Sequence, residues 1–122
     1  MSMDAEVYDK DGDVVCEWCG VTQPIDLREL YRLGYELYNR LPKRFRGDKS
    51  WRYDFSYPCY SFFELGWGTA KVSNDYVEDA IRFYLRSKSV RLTDAERAIL
   101  EAALPVFRDA RGGYATSFWG GF

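Results

Sequence analysis

Eight aromatic residues fall within seventeen positions between Trp51 and Trp67: Trp51, Tyr53, Phe55, Tyr57, Tyr60, Phe62, Phe63 and Trp67. Trp51, Tyr53, Phe55 and Tyr57 alternate with Arg52, Asp54, Ser56 and Pro58. A period of two places the four rings on one face of a strand and the polar set on the other. Aromatic side chains bury large areas and dominate cores and interfaces alike. The segment therefore constrains the fold to include a sheet with one strongly apolar face, packed against helices.

The remaining pattern supplies those helices. Asp26 and Pro24 open a helix over about 25–41, with Leu27, Leu30, Tyr31, Gly34, Tyr38 and Leu41 at helical spacing on one face, widened by Tyr35 and Leu37. Asn74 caps a second helix over about 75–86, striped by Val77, Ile81, Tyr84 and Leu85. Thr93 and Glu96 form a capping box at the start of a third, over about 94–110. Its apolar stripe is read as Ala95, Ile99, Ala102, Ala103, Val106 and Phe107, and Pro105 predicts a kink or two shorter helices. Short strands at 5–9 and 13–17 flank Lys10-Asp11-Gly12-Asp13, where Asp-Gly predicts a type I′ hairpin with positive φ at both central residues. Strands follow at about 51–57 and 60–72, and the aromatic tail 114–122 alternates enough to add another. At 122 residues and 47% hydrophobic content, one core is expected. The expectation is a single α+β domain, a mostly antiparallel sheet packed against about three helices.

Chemistry is sparse. The chain has no histidine, which removes the commonest general base and metal ligand. No nucleophile elbow, phosphate loop or dinucleotide fingerprint occurs. Glu64, Glu78, Asp79 and Glu101 have no spacing that pairs two of them and read as solvated residues. Cys16, Cys19 and Gly20 have the spacing of half a zinc knuckle, with Cys59 as the remaining thiol. The competing reading is of buried, apolar cysteines. The expected cofactor is accordingly none, or one zinc ion on Cys16, Cys19 and Cys59.

Charge is segregated along the chain. Residues 1–19 hold six acids and one base, and residues 40–52 hold six bases and one acid, within a net charge of −2. Basic residues beside aromatics suit single-strand nucleic acid; aromatics and arginines also suit a protein interface. The function expected first is a small non-catalytic protein-binding chain, an inhibitor or adaptor of the phage or mobile-element type. The alternative is a nucleic-acid-binding domain using the loop 40–52. Candidate contacts are Arg44, Arg46, Lys49, Trp51, Arg52, Tyr53, Phe118 and Trp119. No apolar run is long enough for a membrane span, and residues 1–13 lack the pattern of a signal peptide. The expected location is cytoplasmic, in a host or an infected cell; oligomeric state is not legible.

Overall fold

The structure, a computed structural model, describes residues 2–18, 24–45 and 68–120. Most of the aromatic segment, Trp51–Trp67, lies outside the described residues, as do the strand expected at 51–57 and most of that expected at 60–72. Among the described residues four strands form an antiparallel sheet: β1 (Ser2–Tyr8), β2 (Val14–Trp18), β3 (Gly68–Ser73) and β4 (Tyr114–Gly120), in the order β2-β1-β4-β3. Among the described residues three α-helices pack against it: α1 (Leu27–Arg40), α2 (Asn74–Arg86) and α3 (Asp94–Asp109). The α+β class expected from the hydrophobic periods is therefore the observed one. Among the described residues, no helix is long and apolar enough to cross a membrane.

The β1–β2 connection differs from the expected hairpin. Gly12 has φ +86°, but no non-glycine residue in the described chain has positive φ, so Asp11 does not complete a type I′ turn. The Gly12 amide donates to the Asp9 carbonyl at 3.0 Å, and Asp9 Oδ1 accepts from the amides of Asp11 and Asp13. This is a turn with Asp first and Gly fourth, a pairing the type I turn favours, with Gly12 absorbing the left-handed conformation. The register shifts between Val7 and Tyr8, so β2 carries an irregularity beside the turn.

Alternation sorts the sheet into two faces. Ala5, Val7, Cys16 and Ala115 are buried on the helix side. α1 lies on β1 and β2, α2 lies on β3 and β4, and α3 packs on both helices, most extensively on α2. α1 buries Leu27, Leu30, Tyr31, Leu33, Gly34 and Leu37, while Tyr35 is exposed and does not widen the stripe. In α3 the buried residues are Leu100, Ala103 and Phe107, and the expected Ala95 and Ala102 are exposed. The reason is area: turning Leu100 and Phe107 inward removes more apolar surface from water than turning two alanines.

Pro105 sits inside α3, which remains one element rather than two. Proline removes one hydrogen bond, and the burial of Leu100, Ala103 and Phe107 on both sides of it holds the helix together. The N-terminal capping box of Thr93 and Glu96 is formed as the sequence predicts, at 3.1 and 2.9 Å.

Asn74 is not the cap of α2; Ser73 is, accepting from the Asp75 amide. Asn74 is fully buried instead, and its Nδ2 donates to the carbonyls of Tyr8 at 2.8 Å and Ala110 at 2.9 Å. Its amide donates to the Gly113 carbonyl. One residue thus ties the end of β1 and the end of α3 through its side chain, and the start of β4 through its backbone. Gly113 passes so close that a Cβ there would run into the Tyr8 carbonyl oxygen and lie 2.6 Å from the Asp9 carbonyl carbon.

Candidate functional site

The described surface offers two ends of different chemistry. The first surrounds the hairpin turn. β2 is an edge strand among the described residues, and its Val14 and Val15 are 46% and 39% exposed. Together with Tyr35 they are the large apolar side chains that the described surface leaves open. Val15 joins Asp9, Pro24, Pro105, Val106, Asp109 and Ala110 in lining a groove of about 290 Å³. Its lining is mostly apolar, with two carboxylate residues, Asp9 and Asp109, within it. Asp9 is held by the turn hydrogen bonds given above, and Asp109 pairs with Arg108 at 3.0 Å.

The strand's acidity extends along the sheet. Glu6 and Glu17 face each other directly across β1 and β2. Like charges so placed repel, a small cost that an opposite charge on a partner would relieve. On the same outer face Tyr8 stacks on Tyr114, with centroids 4.8 Å apart, and Lys71 Nζ lies 4.1 Å above the Tyr114 ring. Burial, and then a hydrogen bond to Glu6, push the Tyr8 hydroxyl above its ordinary pKa of 10.0, so it remains protonated and a donor.

The opposite end is basic. A 3₁₀ turn, Lys43–Phe45, follows α1 and carries Lys43 and Arg44. An Arg44 guanidinium nitrogen lies 3.4 Å from Ser89 Oγ, which brings this turn to the connection between α2 and α3. That connection and the last turn of α2 hold Arg86, Lys88 and Arg91, all exposed. Among the described residues no ion pair engages Lys43, Arg86, Lys88 or Arg91. Arg40, at the end of α1, is differently placed: it grips Glu96 through two hydrogen bonds of 3.0 and 2.7 Å. That grip holds the Glu96 carboxyl at about 2, well below its usual range.

Of the sequence-derived contacts, Arg44 falls at this basic end. Arg46, Lys49, Trp51, Arg52 and Tyr53 lie outside the described residues. Phe118 and Trp119 are not in a free tail: their backbones sit in β4, paired with Asp4 and Met3 on one side and Thr69 and Gly68 on the other. Arg86, Lys88 and Arg91 were missed, because they join the basic loop only through tertiary packing across 45 positions of sequence.

Cys16 is 3% exposed, and its thiol donates to the Ile25 carbonyl at 3.6 Å. Burial pushes the thiol's pKa up, which favours the protonated form over the thiolate that zinc requires. Cys19 and Cys59 lie outside the described residues, and among the described residues no cluster of three metal-ligating side chains occurs. Glu78, expected to be solvated, is buried at 3% exposure. It is satisfied by Arg82 at 2.8 Å and by Arg111 at 2.5 Å. A carboxylate so held is a structural ion pair.

Compared with known proteins, the chain matches no family model, and neither a curated protein nor a solved structure is similar to it.

Proposed function

We propose that this protein is a non-catalytic binding protein, an inhibitor or adaptor, that engages a protein partner at the β2 edge and its adjoining groove. The observation that supports the reading is the pair of exposed valines on an edge strand, 46% and 39% open, beside a groove already formed. Edge strands expose unpaired backbone donors and acceptors, and natural proteins usually blunt them with lysine, proline or a covering element. β2 instead carries Val14, Val15 and Glu17 on its open stretch. A partner strand added here would gain main-chain hydrogen bonds, while an apolar side chain entered the groove lined by Val15, Pro105 and Val106. The carboxylates of Asp9, Glu17 and Asp109 would favour a partner with basic residues and disfavour an acidic one.

The test begins with immobilised full-length protein, a lysate of its source organism and identification of what is retained. The purified partner is then titrated against the wild type, Val14→Asp and Val15→Asp. The reading predicts a loss of at least about tenfold in affinity for Val15→Asp, the size of one well-packed interface contact. A partner that binds both variants as tightly as the wild type would place the interface elsewhere.

A further inference from the structure

We propose that the basic end is a second binding site, for single-stranded nucleic acid, which Lys43, Arg44, Arg86, Lys88 and Arg91 hold through its phosphates. The proposal is independent of the protein-binding reading and uses the opposite end of the fold. Three observations converge on it.

The first is juxtaposition. The Arg44–Ser89 contact joins two cationic stretches that are 45 residues apart in sequence. Neither stretch alone would neutralise more than two or three phosphates, whereas together they hold Lys43, Arg86, Lys88 and Arg91 outside any ion pair among the described residues, with Arg44 joining the two stretches through Ser89.

The second is availability. Arg40, Arg82, Arg97, Arg108 and Arg111 all sit in ion pairs with neighbouring carboxylates. Among the described residues Lys43, Arg86, Lys88 and Arg91 do not, although the chain as a whole carries more acids than bases; neither do Lys10, Arg32 and Lys71, but those are scattered through the sequence, whereas these four fall in the two stretches that the Arg44–Ser89 contact joins. The last turn of a helix favours a cation, which accounts for Arg86. It does not account for Lys88 and Arg91, which lie beyond the helix.

The third is the hydrogen-bonding character of the end. Ser89 Oγ accepts from Arg44, and Ser87 Oγ accepts from the Ser89 amide. Each hydroxyl therefore keeps its hydrogen to donate. Guanidinium forks, ammonium groups and two hydroxyls make a surface of donors, and phosphate oxygens are acceptors only. Three of the five cations are arginines, whose planar fork matches phosphate and stacks on bases. Glu36 and Asp94, both exposed, flank the two cationic stretches in sequence. A flexible strand can follow a patch of a few cations, whereas a rigid duplex needs charges spaced along its length.

The test is fluorescence-anisotropy titration of the full-length protein with labelled twenty-nucleotide oligo-dT and oligo-rU at 50 and 200 mM salt. Four phosphate contacts on a single strand give a slope of about −3 in log affinity against log salt, hence a loss of about 50-fold between the two conditions. Lys88→Glu with Arg91→Glu should halve that slope and abolish measurable binding at 200 mM. Lys88→Ala with Arg91→Ala provides a milder version should the charge reversal disturb folding. Lys10→Glu, in the hairpin turn at the other end, should leave binding within about twofold. Absence of binding at 50 mM salt would overturn the proposal. So would equal losses in the Lys10 variant. Equal competition by polyglutamate of the same charge would show a site for acidic protein segments instead.

Discussion

The two ends of this molecule are held together by different forces. At the turn end, Asn74 donates to two main-chain carbonyls from a fully buried position, and Gly113 admits backbone where a Cβ would collide. At the basic end, beside the buried Leu41 and Val90, a surface ion pair joins Arg40 to Glu96, and its arginine is 42% exposed. Buried hydrogen bonds to main chain are expensive to break, because the orphaned groups stay dehydrated. Surface ion pairs contribute less and weaken with salt. The difference suits the tasks proposed for each end. A groove that captures a partner gains from being fixed beforehand, and the Asn74 network fixes the strand ends around it. A patch that neutralises phosphates requires charges that are not already spent within the fold.

That contrast can be broken first at Gly113. Alanine there should destabilise the protein by about 3 kcal/mol or more, since the obstructing atoms are backbone and cannot swing aside. Thermal melting should show a fall of more than about 10 °C at this chain length. Asn74→Ala should come next, at about 2–3 kcal/mol, from two carbonyls left without a donor. Equal stability of wild type and Asn74→Ala in urea would remove the network from the account.

The third effect separates the ends by pH. The Glu96 carboxyl sits at about 2 when folded, against an ordinary 4.5. A depressed folded pKa stabilises the native state above the unfolded value and ceases to do so as pH falls through the folded one. Its contribution is therefore whole above about pH 5 and lost between there and pH 2. After discounting for the exposed arginine, about 1 kcal/mol is expected. Glu96→Gln should lower stability at pH 7 and flatten the acid limb over that range, while Asn74→Ala should shift the curve without changing its shape.

The helices and the sheet class were legible because their signals are local. Apolar residues recur at helical spacing in α1 and α2, and Thr93 with Glu96 marks the start of α3. Asn74 shows where local reading stops. Asparagine before a helix is normally a cap, and only the tertiary fold brings the Tyr8 and Ala110 carbonyls within its reach. Glu78 is the same case: its burial depends on Arg111, which is 33 positions away. The hairpin was found but its turn type was not, because Asp-Gly suits both a type I′ turn and a type I turn closed by glycine. At the candidate sites, Arg44 was visible as part of a charge run. Val14 and Val15 were read as ordinary strand residues, since nothing local shows that a strand will lie at an edge. Arg86, Lys88 and Arg91 belong to no run at all until packing assembles them.

The smallest expected effect on stability is also the most informative. Charge reversal at Lys88 and Arg91 together should alter stability by no more than about 0.5 kcal/mol, as is usual for exposed positions outside any network. The decisive measurement pairs melting with oligo-dT titration at 50 mM salt on one preparation of this variant. The account predicts an unchanged melting temperature and binding weakened at least tenfold. A variant that melts like the wild type and binds like it would contradict the claim that these cations are held in reserve for a ligand.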